Sequence, residues 1–475
     1  MLLATPRTAR PRPRTPAASR GGTGGQRTVQ AGGAALALAL AAYLAEVLTH
    51  PLRETLTWFD LRVYTTAGQA VLHAPGTLYA AQMVPGFKFT YTPFAALVFA
   101  AWAWVPWELL TWLMTASSVA ALGVAVWLSL TALGWSGRRR LGASLALTAV
   151  ALWTEPVQRA LHAGQVELLL MAVVIWDLCQ PDRRRWKGAG IGLAAAIKLV
   201  PLIFILYLLL TRRVRAAATA LVTFVLLAAV GFAALPQASW QWWFGADFLR
   251  AGRTGFVGFL ANQSLRGLFT RESASLTSGL WWWLAAAALA GAAGLIAAAR
   301  LHRAGRPVCG WLTCALTGLL VSPVSWDHHW VWVVPALAVL ADAAVRASGA
   351  VRRACWALAG GVAAVFGAWP VLGRAGPLVP WGLIWYAPGS PGTAGSHPWS
   401  SEYHWRGLTW LAGNAYVLAG LAALAGLVAL ARTTGYAGPS PWRSSRRVPR
   451  PTAGTGRSAA APTAGQAAGC PAPRR

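Results

Sequence analysis

Carboxylates and lysines are the scarce residues of this chain. Asp and Glu number 13 in 475 residues, and all charged residues together make 11%, against about 25% in ordinary soluble domains. So little charge cannot clothe a water-soluble globule of this length. Hydrophobic residues make 56% of the sequence, 28 residues are Trp, and mean hydropathy is +0.49; the chain reads as an integral membrane protein. Among 41 basic residues only Lys88, Lys187 and Lys198 are lysines. The formal charge of +28 does not describe a nucleic-acid surface, because the arginines flank apolar stretches and act there as topology signals. No nucleic-acid partner is expected. The cysteines (Cys179, Cys309, Cys314, Cys355 and Cys470) have neither zinc-ligand nor redox spacing, which excludes a disulfide framework and leaves small buried side chains.

Residues 1–30 are rich in Arg, Pro, Thr and Gly, and 432–475 repeat that composition with Ser and Ala. Neither segment can bury a core, so both are expected to be disordered, cytoplasmic tails around a membrane domain at 31–431. The apolar run from Ala31 to about Leu48 is long for a signal-peptide core and is expected to be an uncleaved first span. Further apolar stretches of spanning character run at about 109–134, 141–154, 165–180, 216–236, 278–299, 308–323, 330–346, 354–373 and 405–431. Two are irregular: 93–107 is too short to cross comfortably, and 188–211 carries Lys198 and Pro201 near its middle. If 93–107 only dips into the outer leaflet and 188–211 is a hairpin of two short helices, 30 of the 41 basic residues fall on the cytoplasmic side, a strong positive-inside bias. The expectation is an all-α polytopic membrane protein with about twelve transmembrane helices, juxtamembrane helices on the outer face and both termini cytoplasmic. The outer loops are then 49–108, 155–164, 237–277 and 374–404, and they hold most of the carboxylates.

Asp60 opens an amphipathic pattern in WFDLRVYTTAGQAVLH and is expected at the N-cap of a helix lying on the membrane. Its role is either capping or accepting a proton from a sugar hydroxyl. Lys198 lies at the bend of GAGIGLAAAIKLVPLIF. Each arm there has about 12 residues, roughly 18 Å, which sets the tip in the outer half of a hydrocarbon core roughly 30 Å thick. An intramembrane ammonium is costly unless it finds an anion or a cavity, so Lys198 is a candidate to hold a lipid phosphate as a point charge. TEPVQRALHAGQVELLL gathers Glu155, Arg159, His162, Gln165 and Glu167 at the outer ends of two spans. Arg159 and His162, three apart, would share a helical face, and an ion pair of Glu155 with Arg159 is the structural reading of the same stretch. SPVSWDHHWVW places Asp327, His328 and His329 between spans. Adjacent histidines on one helix face cannot both ligate one metal, so no metal site is expected. Hydrogen bonding to a sugar fits them better, with Trp326, Trp330 and Trp332 flanking.

Taken in order, these segments resemble glycosyltransferase family 87, the polyprenyl-phosphate-mannose-dependent α-1,2-mannosyltransferases of actinobacteria with the GT-C membrane fold. The resemblance is carried by Asp60-Leu-Arg-Val-Tyr64, Phe89-Thr-Tyr91-Thr-Pro93, Gly164-Gln165-Val166, Gly192 to Pro201 around Lys198, Asn262-Gln263-Ser264-Leu265, and Ser322-Pro323-Val-Ser-Trp326-Asp327-His328-His329. One departure is Glu167, where similar proteins usually carry Asn. The resemblance implies a polyprenyl-phosphate-sugar donor, a glycolipid or glycan acceptor, a multi-pass place in the bacterial plasma membrane with the site facing outward, and no cofactor. It implies Asp60 as catalytic base and Lys198, with Arg159 or Arg266 helping, on the donor phosphate. Tyr64, Tyr91, His162, Gln165, Asn262, Asp327, His328 and His329 would line the sugar or acceptor site. A secondary transporter or lipid flippase with a broken-helix site around Lys198 is the rival class, disfavoured because no second broken segment repeats 188–211.

Overall fold

The computed structural model describes residues 22–49, 58–369, 382–388 and 400–433. The expected tails lie outside these residues, except that 22–30 and 432–433 are helical. Eighteen α-helices occur among the described residues. In chain order the first nine are α1 (Gly22–Thr49), α2 (Phe59–His73), α3 (Pro93–Ala100), α4 (Trp107–Ala132), α5 (Gly137–Leu152), α6 (Glu155–Ala163), α7 (Glu167–Cys179), α8 (Ala189–Ile197) and α9 (Ile203–Leu210). They are followed by α10 (Val214–Ala234), α11 (Pro236–Trp243), α12 (Leu265–Ser273), α13 (Leu276–Arg303), α14 (Pro307–Val321), α15 (Val333–Arg346), α16 (Gly349–Phe366), α17 (Gly407–Gly413) and α18 (Ala415–Thr433). A 3-10 turn, Asp327–Trp332, leads into α15. The first outer segment also holds a small antiparallel hairpin, β1 (Gln82–Val84) and β2 (Phe87–Lys88), so the chain is not wholly α. Its turn places Gly86 at φ 84, and Gly86 N donates to Gln82 Oε1 at 2.8 Å.

Among the described residues, six helices have the length and apolar character to cross a bilayer: Gly24–Val47, Trp107–Ala132, Val214–Ala234, Leu276–Arg303, Asp327–Arg346 and Ala415–Thr433. The other segments in the twelve-span expectation are helical but short. α5, α7, α8, α9, α14 and α16 have 16, 13, 9, 8, 15 and 18 residues, below the roughly 20 that a crossing needs. Four of them, α7, α8, α9 and α14, meet a polar turn that interrupts the hydropathy, at Gly164–Val166, Lys198–Leu202 or Ser322–Asp327. α3 breaks into a 3-10 turn at Ala101 after only 8 residues, in keeping with a segment too short to span.

α8 and α9 form the hairpin. Gly188 lies against Ala216 and Gly192 against Ala220 and Thr223, so α8 runs parallel to α10. Between them in the chain, α9 returns to the end where α8 began, and Arg215 beyond it donates to the carbonyls of Asp182 and Arg184 ahead of α8. The arginine-rich loops thereby collect at one end of the bundle, where Trp135 Nε1 also donates to Asp342 Oδ1 at 2.7 Å and Arg346 to the Leu133 carbonyl at 2.8 Å. Lys198 and the Asp327–Trp332 turn sit at the other end. Helix α1 starts before the apolar run because its first turns pack along α5. There the backbones meet so closely that a Cβ on Gly142 would come within 2.7 Å of the Thr28 carbonyl. Gly142→Val is therefore expected to lower stability by about 1–3 kcal/mol, the usual cost of overpacking, read as a lower melting temperature of the purified protein in detergent.

Candidate active site

The site begins where α2 meets α6. Trp58 adopts the left-handed conformation at φ 58 and its N–H donates to the His162 carbonyl at 2.6 Å. This puts Trp58, not Asp60, at the N-cap of α2; Asp60 is the second helical residue and its carboxylate makes no capping bond. The sequence expectation is corrected here because a left-handed Trp is invisible to capping preference. Freed from capping, the Asp60 carboxyl faces inward. Burial pushes its pKa above the usual range, while His328, a hydrogen bond from Gln165, Lys198 and Arg159 pull the other way without cancelling it. Four segments thus converge on one carboxylate.

Tyr64, one turn after Asp60, and Tyr91, just ahead of α3, share a 2.7 Å hydroxyl contact, and both reach Gln165 Oε1, at 2.7 and 3.1 Å. With Oε1 occupied by two phenols, the Gln165 amide nitrogen is left for Asp60. Tyr64 stacks on Phe99, centroids 4.4 Å apart, and Tyr79 donates to the Tyr91 carbonyl at 2.8 Å. Burial raises the Tyr64 hydroxyl well above its usual pKa and Tyr91 to about 12, so both are neutral hydrogen-bonding groups. Gly164, at φ 69, makes the turn that bends α6 and α7 by 117° and brings Gln165 here; a Cβ on it would come 2.7 Å from Leu61 Cβ.

Lys198 follows the last turn of α8 in extended conformation, φ −137. Its Nζ donates to Glu167 Oε2 at 2.6 Å and to His329 Nε2 at 2.9 Å, and lies 5.5 Å from the centre of the Tyr91 ring. Thr92 caps α3 and also donates to the Ala196 carbonyl, fixing the tip of the hairpin to the Tyr91 segment. An apolar cavity opens beside this ion pair, lined by Met171, Val174, Phe204, Leu319 and Trp332 among others, with Lys198, Glu167 and His329 as its polar lining.

The histidine pair divides its work. His329 turns to Lys198, whereas His328 Nδ1 sits 3.2 Å from Asp327 Oδ1, the two rings nearly perpendicular at 86°. Asp327 Oδ2 forms an ion pair with Arg159 Nε at 3.3 Å, and the Arg159 guanidinium lies 4.9 Å over the Trp385 ring. Arg159 therefore pairs with Asp327, and the carboxylate of Glu155 instead accepts from Trp385 Nε1 at 2.9 Å and Tyr416 at 2.7 Å. His328 Nε2 is buried and lacks a hydrogen-bond partner among the described residues.

Three residues expected in the site are engaged elsewhere. His162 places Nε2 3.3 Å from Glu46 and Nδ1 2.7 Å from the Gln158 carbonyl, tying α6 to α1. Arg266 lies 5.2 Å over the Trp283 ring on α13. Asn262 is a clip: its amide donates to the carbonyls of Val257 and Pro323, and its Oδ1 accepts from Ser325 N at 2.9 Å. It holds the Asp327 turn in place without facing it. The residues missed in the sequence are Trp385 and Tyr416, in the C-terminal third, which hold the Glu155 carboxylate, Trp385 also lying under the Arg159 guanidinium; the sequence singles out Glu167 without pairing it with Lys198. Among the described residues no cluster of His, Cys, Asp or Glu suits a metal ion.

A family model described as glycosyltransferase family 87 matches residues 89–323. A relative from Mycobacterium tuberculosis, named polyprenol-phosphate-mannose-dependent alpha-(1-2)-phosphatidylinositol pentamannoside mannosyltransferase, is 36% identical over 430 residues, 86% of this chain and 91% of the relative. Another from the same species, named polyprenol-phosphate-mannose-dependent alpha-(1-2)-phosphatidylinositol mannoside mannosyltransferase, is 34% identical over 304 residues, 59% of this chain and 69% of the relative. A protein of the latter name from Mycolicibacterium smegmatis is 34% identical over 327 residues, 62% of this chain and 71% of its own. No solved structure matches the chain.

Removing one partner of a buried ion pair leaves the other uncompensated, at a cost of about 3–5 kcal/mol. Asp327→Asn is expected to destabilise the protein on that scale, and the double variant with Arg159→Gln to recover part of the loss. Strictly additive losses in detergent unfolding would show that the two side chains are not coupled.

Proposed function

The chain belongs to glycosyltransferase family 87, and on that premise we propose that it transfers a mannosyl unit from polyprenyl-phosphate-mannose to a hydroxyl of a phosphatidylinositol mannoside, with inversion, forming an α-1,2 linkage. Family membership sets aside the transporter or flippase reading. The observation that carries the proposal is a carboxylate free of capping duty, Asp60, within electrostatic reach of a buried ammonium, Lys198, with neutral hydrogen-bonding groups between them.

The chemistry follows from that pairing. The acceptor oxygen attacks the anomeric carbon as its proton passes to the Asp60 carboxylate. The bond from that carbon to the phosphate oxygen breaks, and its electron pair leaves on the phosphate. The leaving group is weakly basic, so one general base suffices and no general acid is needed. Charge grows on the departing phosphate, where Lys198 stabilises it. Tyr64, Tyr91 and Gln165 orient the sugar and the base, His328 Nε2 is available to a sugar hydroxyl, and Asp327 with Arg159 holds His328. His162, Arg266 and Asn262 act as supports from outside the reacting groups.

We further assign the GT-C architecture with twelve helices, cytoplasmic termini and a site facing outward. The gathering of basic loops at the end of the bundle away from Lys198 supports this orientation. In a background without native cysteines, Thr77→Cys and Arg250→Cys are expected to react with an impermeant reagent added outside intact cells, and Arg139→Cys and Arg185→Cys only after permeabilisation. The reverse pattern would invert the site.

The reaction is tested by incubating the purified protein with radiolabelled polyprenyl-phosphate-mannose and phosphatidylinositol mannosides. A base must be ionised to accept the proton, so kcat/KM should fall on the acid side, through a limb set above the ordinary aspartate range because burial raises the Asp60 pKa. Asp60→Asn should lose about 10²–10⁴ in rate, the usual worth of a general base, and with it that limb, at little cost in melting temperature. Near-normal turnover would remove Asp60 from the mechanism.

A further inference from the structure

The ion pair at the tip of the hairpin poses a problem for any anionic lipid. Glu167 is the first residue of α7, where the helix N-terminus favours its charge, and its Oε2 lies 2.6 Å from the very nitrogen that would receive the donor phosphate. Both side chains are largely buried, Lys198 at 14% and Glu167 at 11% exposure, so water does little to screen either from a third charge. His329 takes a second Lys198 N–H, which leaves one for a ligand. The ammonium therefore meets its ligand already neutralised, with a carboxylate at its side.

We propose that Glu167 is a specificity-determining residue that keeps Lys198 from retaining the spent lipid phosphate. The inference rests on the donor reading given above. A polyprenyl-phosphate sugar is a phosphodiester with one negative charge. Once the sugar has left with the acceptor, the lipid is a phosphomonoester carrying about −1.5 to −2 near pH 7. A bare buried lysine would bind that product more tightly than the donor. A fixed carboxylate beside the lysine opposes each added negative charge, so it penalises the product more than the substrate. Glu167 acts through Lys198 and the phosphate and takes no part in proton transfer.

The test compares inhibition of the purified, full-length protein by polyprenyl phosphate and by its monomethyl ester, which keeps a single charge. The wild type is expected to bind the two with similar inhibition constants. In Glu167→Gln, polyprenyl phosphate should inhibit at least tenfold more strongly, the methyl ester and the donor KM should tighten by smaller factors, and turnover should become limited by product release. A merely structural Glu167 would weaken all ligands together and would not produce tighter binding. The inference is overturned if wild type already binds the monoester tenfold more tightly than the methyl ester, a comparison that does not depend on the variant folding. It is also overturned if a folded Glu167→Gln leaves the ratio unchanged. Failure of the wild type to consume polyprenyl-phosphate-mannose would instead overturn the donor reading on which this one stands.

Discussion

A lysine ammonium at the tip of two half-length apolar helices cannot stand alone, because transfer of an unpaired charge into hydrocarbon costs several kcal/mol. The rest of the site follows from that demand. Lys198 needs an anion, which requires the α6–α7 turn to deliver Glu167. It needs a neutral acceptor, which requires the Asp327–Trp332 turn to deliver His329. It needs its own bend held, which Thr92 does through the Ala196 carbonyl. The first two deliveries interrupt apolar runs, at Gly164–Val166 and at Ser322–Asp327.

Polar pairing then runs outward from that centre. His329 is adjacent to His328, His328 to Asp327, Asp327 to Arg159, and the Glu155 carboxylate follows, satisfied by two neutral donors. Asp60 stands to one side of this chain of pairs, hydrogen-bonded by the neutral Gln165 amide rather than by a cation. That difference sets it apart from the carboxylates held in ion pairs. Buried pairs seldom add stability over apolar residues, so a relay of this length is explained by what it positions.

Much of this was legible in order but not in contact. Asp60 and Tyr64 stand one turn apart, so their shared face could be read from helical spacing. The bend at Lys198 and Pro201 announced the hairpin. The same spacing misled at Arg159 and His162, which leave a common face toward different partners, Asp327 and Glu46. The bonds of Glu155 to Trp385 and Tyr416 span 230 and 261 residues, beyond any local pattern. Capping preference could not foresee a Trp in left-handed conformation ahead of α2. Hydropathy did not show where several of these segments end, since a window average does not register one polar turn.

The hairpin of α8 and α9 also constrains how the protein is made. Its tip is charged and each arm is too short to be settled in lipid by itself, and its two partners for Lys198 lie on opposite sides of it in the chain. Glu167 is synthesised 31 residues earlier and His329 131 residues later. While translation proceeds from one to the other, the ammonium has its anion but not its second acceptor. The order of synthesis therefore supplies the counter-charge first, and the polar contacts of the tip are completed only when the later turn arrives.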